Sequence, residues 1–132
     1  MPLAHRRDPT RGWILVDVHD PLLIDEVIDL IRSVRSNVAD RMVPMLVDAR
    51  AARTPISDHD IDRGIAAVDE AVKVGGSRGH VAIVADHEAV FAAMVRYEAG
   101  CARLGISVIR VFREWSVAGR WLEIVSAARE FR

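Results

Sequence analysis

Four short apolar runs divide the chain, at residues 13–18, 42–48, 81–85 and 108–112, and a segment with helical spacing of apolar residues follows each. The runs are nearly continuous in apolar character, so we expect each strand to be buried on both faces. Strands that alternate with helices predict an α/β domain with a mainly parallel, four- or five-stranded sheet flanked by helices. A short strand within residues 1–11, otherwise a loose segment, would supply the fifth strand and pair antiparallel with the run at 13–18.

Capping residues predict where the helices begin and end. Asp20 with Pro21 predicts the start of the first helix, Ser57 that of the second, and Asp86 that of the third, because these side chains accept hydrogen bonds from free backbone N–H groups and proline needs none. The glycine pair at 75–76 predicts the end of the second helix.

The length of 132 residues predicts a single domain over 1–132. The formal net charge is −1 and no long basic run occurs, which argues against a nucleic-acid partner. No apolar run approaches the about 20 residues that span a bilayer, and no signal peptide opens the chain, so we expect a cytoplasmic protein. Cys101 is the single cysteine and is expected to be a buried, inert thiol.

Three aspartates follow or end predicted strands, namely Asp17, Asp48 and Asp86. Because parallel strands end at one edge of a sheet, these carboxylates could together hold Mg²⁺ or accept a phosphoryl group. The structural alternative is that Asp86 caps a helix and the other two bind loop amides or arginines. A phosphoacceptor of the receiver type would also need a lysine after a late strand, where this chain has Arg113.

Aromatic and large apolar residues in the last two predicted helices suggest a second type of site. They are Phe91, Met94, Tyr97, Trp115 and Trp121. Such side chains could line an apolar pocket between these helices, and ordinary core packing is the alternative.

Several short segments of the chain carry a family resemblance through their order and spacing. They are residues 46–50, 81–86, 94–98 and 111–114, with Ala118 and Trp121-Leu122. Together they resemble the SpoIIAA-like, STAS-like bacterial proteins over about residues 12–123. The resemblance implies a sheet with flanking helices and a regulatory or interaction module without a known catalytic centre. Proteins of this shape are also similar to lipid-transfer domains of the CRAL-TRIO type, which implies apolar-ligand binding.

One segment departs from the pattern of the phosphorylated STAS proteins, which carry a D-S-[ST]-G-type turn at the second helix. Residues 54–59 read Thr-Pro-Ile-Ser-Asp-His here, so Ser57 is near the expected place but the glycine and second hydroxyl are absent. This difference argues against a kinase-controlled switch, and Ser57 is more simply a helix cap.

The first functional hypothesis is therefore a non-enzymatic module without a cofactor, which binds a protein partner around residues 57–65 through Ser57, Asp58 and Ile61. The sequence also leaves open a homo-oligomer. The second hypothesis is a carrier of an apolar small molecule or lipid that uses Tyr97 and Trp121. The third is a metal-dependent enzyme or phosphoacceptor that uses the strand-end aspartates.

Overall fold

A computed structural model describes residues 3–37, 39–76 and 78–130. Within these ranges it contains five strands and four helices. They are β1 (Leu3–Arg7), β2 (Ile14–Val18), α1 (Ile24–Ser36), β3 (Met45–Asp48), α2 (Asp58–Gly75), β4 (Val81–Val84), α3 (Glu88–Arg103), β5 (Ile109–Phe112) and α4 (Trp115–Glu130). The predicted α/β architecture is confirmed and is consistent with a STAS-like fold. Of the segment 1–11, residues 1–2 lie outside the described ranges.

The strands lie in the sheet in their chain order, β1-β2-β3-β4-β5. β1 pairs antiparallel with β2, with Leu3 opposite Val18, and the remaining pairs are parallel. The predicted antiparallel strand at the amino end is thus confirmed. The turn that joins it to β2 is organised by Asp8, whose carboxylate accepts hydrogen bonds from the Thr10 N–H at 2.9 Å and the Arg11 Nε at 3.0 Å. These hydrogen bonds hold the pKa of Asp8 below its ordinary value.

This strand order sends three helices to one face of the sheet. Successive parallel connections share one hand, so helices between strands that advance in one direction fall on the same side. The buried cluster on that side accordingly joins α1, α2 and α3 to alternate strand residues such as Val16, Met45 and Val81. The helix that follows the last strand, α4, covers the opposite face, where Leu46 and Val84 pack against Ala118 and Leu122 of that helix.

The predicted start of α1 is wrong. The helix begins at Ile24, and Leu23 occupies the N-cap position without a side-chain hydrogen bond. The Asp20 carboxylate instead accepts the backbone N–H groups of Arg53, at 2.8 Å, and Thr54, at 3.1 Å. Asp20 therefore joins two loops instead of capping the helix beside it.

Of the other two predicted caps, one is confirmed and one is wrong. Ser57 accepts a hydrogen bond from the Asp60 N–H at 3.2 Å and begins α2. His87, not Asp86, is the N-cap residue of α3. β3 is also shorter than predicted, because it begins at Met45, after Pro44.

The loops before β3 and β4 approach each other closely at Gly79. Its N–H donates to the carbonyl of Arg41 at 2.9 Å. A Cβ atom at position 79 would lie 2.5 Å from the Val43 carbonyl oxygen and 2.7 Å from that of Met42. The two loops can therefore meet only while residue 79 has no side chain.

We expect Gly79→Ala to lower the free energy of unfolding by about 1–3 kcal/mol, because backbone atoms must move to admit the methyl group. Urea denaturation followed by circular dichroism measures the change. Gly119→Ala is the matched control. It lies within α4 and its added Cβ would meet only Arg11, at 3.9 Å, so it should be neutral or stabilising. Equal stabilities of Gly79→Ala and the unmodified protein would contradict the close approach.

Candidate functional site

The core contains an apolar cavity of about 100 Å³ between the sheet and helices α1, α2 and α3. Strand side chains such as Val16 and Val47 form its floor, Ile24 and Ile61 belong to its helical roof, and Tyr97 of α3 belongs to its wall. Almost all of the lining is aliphatic. The surroundings therefore favour an apolar occupant over a polar or charged one.

Several small residues line this space. Gly64 of α2 faces the cavity, where an added Cβ would lie 3.3 Å from Ile24 Cδ1 and 3.6 Å from Tyr97 Cε1. Ala49 and a group of valines contribute much of the strand side. The side chains that line the space do not fill it, so the interior keeps a void instead of reaching the usual close packing.

Tyr97 and Cys101 form a neutral polar pair beside the cavity. The tyrosine hydroxyl hydrogen-bonds the cysteine sulfur, and burial is the main reason that both pKa values are raised, that of Cys101 to about 11. The positive charge of Arg78 acts in the opposite direction on both groups. Cys101 is fully buried, which confirms the predicted buried thiol.

A smaller pocket adjoins the cavity at the amino edge of the parallel strands. It measures about 10 Å³ and is lined by Ile31, Val34, Arg41, Ala71, Gly76 and Arg78. Ile31 and Arg78 line both spaces. The Nε atom of Arg41 is buried and has no hydrogen-bond partner among the described residues. A buried cationic donor therefore lies next to the apolar cavity.

The strand-end aspartates each pair with a different arginine. Asp17 binds Arg6, Asp86 binds Arg53 at 3.0 Å, and Asp48 binds Arg50 at 2.9 Å. The Arg50 guanidinium is the main reason that the pKa of Asp48 is lowered. In the part of the chain that the structure describes, no group of three or more His, Cys, Asp or Glu residues is arranged to hold a metal ion.

The strand order explains why these acids do not gather around a ligand. In open α/β sheets, ligands bind at the carboxyl edge where the strand order reverses and the loops on either side leave a crevice. Here the order runs in one direction from β1 to β5. Without a reversal, the loops at that edge pack together through ion pairs such as Arg53 with Asp86.

The residues predicted to bind a protein partner differ in how far they are exposed to solvent. Ser57 is exposed and caps α2, and Asp58 is exposed and pairs with Arg96 at 3.0 Å. Ile61 is only 4% exposed and lines the cavity. Ile61 also lines the base of a surface groove with Asp58 and Arg96, but at 4% exposure it offers a partner little area.

The predicted pocket between the last two helices is wrong, because α3 and α4 lie on opposite faces of the sheet. Tyr97 lines the cavity, whereas Trp121 packs on the other face beside Phe112, with ring centroids 5.5 Å apart. Trp115 is 36% exposed and lies under the Arg50 guanidinium, 4.6 Å from its ring centroid. The predicted pair Tyr97 and Trp121 therefore cannot form one site.

Arg41 and Arg78 were not among the residues predicted from the sequence to form a site. The available signal was weak: each arginine lies shortly before a predicted apolar strand. Parallel strands bring such positions to the same amino edge, just as they bring the aspartates to the carboxyl edge. Tertiary packing decides which helices cover that edge, and therefore whether the arginines are buried.

Comparisons with protein-family models, curated proteins and solved structures found no match to the chain. The resemblance to STAS-like proteins therefore stays a prediction, with which the arrangement of the sheet and helices is consistent. In the described ranges, no helix has both the length and the apolar character needed to cross a membrane.

We expect Cys101 to be unreactive toward thiol reagents in the native protein at about pH 8, because the thiolate is the reactive form. The raised pKa also predicts a pH effect on stability. The contribution of the neutral thiol should be complete below the ordinary pKa of 9.0 and be lost as the pH rises to about 11. Relative to Cys101→Ala, the free energy of unfolding should fall by about 2 kcal/mol over this range.

Urea denaturation of both proteins at several pH values measures this difference, and thiol labelling with and without urea measures reactivity. A constant difference between the two proteins, or rapid labelling of the native thiol, would contradict the raised pKa.

Proposed function

We propose that the protein is a non-enzymatic, STAS-like module that binds a small apolar molecule, or the apolar end of a larger one, in the core cavity. The observation that carries this proposal is the cavity of about 100 Å³ with its nearly all-aliphatic lining. Tyr97 lines the cavity, and burial holds both Tyr97 and the neighbouring Cys101 in their neutral forms. A neutral tyrosine is suited to be part of a binding wall rather than to transfer protons.

The energetic cost of the cavity supports a role in binding. Empty cavity volume costs about 24 cal/mol per Å³, so a void of this size costs on the order of 2 kcal/mol of stability. A ligand that fills the space restores the missing dispersion contacts. An engineered apolar cavity of about 150 Å³ in another protein binds benzene, which makes benzene a suitable first probe.

We expect benzene to raise the melting temperature of the protein, because a ligand that binds only the native state stabilises it by mass action. Val16→Phe, which adds a ring to the floor of the cavity, should abolish this increase. Calorimetric melting curves with and without benzene measure the effect.

Val84→Ala is the control, since it weakens the core on the opposite face and leaves the cavity intact. This variant should melt at a lower temperature and still gain stability from benzene. The proposal would fail if benzene left the melting temperature of the unmodified protein unchanged, or stabilised Val16→Phe equally.

A second candidate is self-association through α4, with a second copy of the chain as the partner. Val117 and Ile124 are 48% and 61% exposed and lie seven residues apart, on one side of the helix. Arg120 and Glu123 lie between them and carry opposite charges. In an antiparallel pair of α4 helices, Arg120 of each copy would approach Glu123 of the other. Glu123 already accepts one hydrogen bond from Arg11, and a carboxylate can accept several.

We expect sedimentation velocity to show reversible association as the protein concentration rises, because pairing would remove these apolar side chains from water. The double variant Val117→Glu with Ile124→Glu should remain monomeric. Val95→Glu is the control, because Val95 is 40% exposed but lies on α3. A monomer at every concentration would rule out this candidate.

A further inference from the structure

The amino edge of the sheet joins the apolar cavity to two arginines. Arg41 precedes β3 and Arg78 precedes β4, and both line the small pocket that adjoins the cavity. The hydrogen bond from the Gly79 N–H to the Arg41 carbonyl holds the two loops together. Arg78 also lines the cavity itself. The two spaces thus share Ile31 and Arg78 as lining residues, and an apolar cavity lies beside a small cationic pocket.

We propose that the ligand is a short-chain carboxylic acid, whose apolar chain lies in the cavity and whose carboxylate lies between Arg41 and Arg78. This inference rests on the proposed function and specifies the chemical class of its ligand. Two contacts define the class: aliphatic walls for the chain and guanidinium groups for the head.

Arg41 provides the observation that points to an anion. Its Nε is buried without a hydrogen-bond partner among the described residues, and a buried charged donor without a partner is costly. A carboxylate oxygen satisfies a guanidinium donor better than a neutral acceptor does, because a hydrogen bond between opposite charges is shorter and stronger. The ligand would therefore complete a contact that the protein chain leaves unmade.

Arg78 extends the positive charge toward the cavity. Its charge opposes the rise in the pKa of both Tyr97 and Cys101, so its field reaches the cavity wall. Arg78 also has interactions within the protein. We therefore assign it the role of a second, partly engaged cation, while the unmet donor belongs to Arg41.

The size of the pocket favours a carboxylate over a larger anion. Its volume of about 10 Å³ is close to the minimum that holds one water molecule. One oxygen of a planar carboxylate matches this space, whereas a tetrahedral phosphate or sulfonate needs room for three oxygens. The walls contributed by Ile31, Val34 and Ala71 also offer no further donors for such a group.

Hexanoate and hexanol are the probes that test the inference, since they share one chain and differ in the head group. Isothermal titration of the full chain should give a tighter Kd for hexanoate than for hexanol. Arg41→Gln should weaken hexanoate binding by about tenfold to a hundredfold, the range expected for a charged hydrogen bond. The same substitution should leave the Kd values of hexanol and benzene unchanged.

Two further variants and a control distinguish recognition of the carboxylate from a loss of stability or of overall positive charge. Arg78→Gln should weaken hexanoate binding in the same sense. Arg41→Met keeps the length of the side chain and should weaken hexanoate while keeping or raising the melting temperature, because it removes a buried charge. Arg32→Gln is the control: Arg32 is exposed on α1 and does not line either space, so hexanoate binding should not change.

The outcomes distinguish this inference from the proposed function. If hexanol binds as tightly as hexanoate, or Arg41→Gln weakens both equally, the carboxylate inference fails and the apolar cavity site stands. If Arg32→Gln weakens hexanoate as much as Arg41→Gln does, general charge explains the binding and the inference also fails. If benzene, hexanol and hexanoate all fail to bind, the proposed function fails first and the inference falls with it.

Discussion

The one-directional order of the strands is the constraint on which the rest of the structure depends. Since each parallel connection has the same hand, three consecutive connections place α1, α2 and α3 on one face of the sheet. Among the described residues, the opposite face is covered by α4, the helix that follows the last strand. One face therefore carries three helices with a cavity beneath them, and the other carries one helix.

The two edges of the sheet take different roles for the same reason. At the carboxyl edge, the strand order does not reverse, so no crevice opens there. The charged side chains at this edge instead form ion pairs with one another, such as Asp48 with Arg50. At the amino edge, the chain enters β3 and β4 through loops that meet at Gly79. This meeting keeps Arg41 and Arg78 beside the cavity, and a preorganised pair of this kind loses little entropy when an anion binds.

Local patterns in the sequence were sufficient for the fold but not for the site. Apolar runs and the Ser57 cap predicted the strands, the start of α2 and the fold class, because these depend on residues that are neighbours in the chain. The side on which a helix packs depends on the whole connection. For this reason Tyr97 and Trp121 were placed together although the sheet separates them. Asp20 and Asp86 resembled caps, yet their carboxylates bind residues 33 positions away in the chain or more.

The cavity is harder to predict from a sequence than the fold is. A void forms where the side chains of several elements together fail to fill the space between them. Gly64 and Ala49 are ordinary residues in a helix and at a strand end, and neither indicates a site alone. Only when α2 covers the valine-rich side of the sheet do these residues come to line one unfilled space. In the small pocket that adjoins this space, Arg41 Nε has no hydrogen-bond partner among the residues that the structure describes. A molecule with an apolar chain and an anionic head would fill the apolar volume and meet the cationic donor in the adjoining pocket, which is why we assign both spaces to a single ligand.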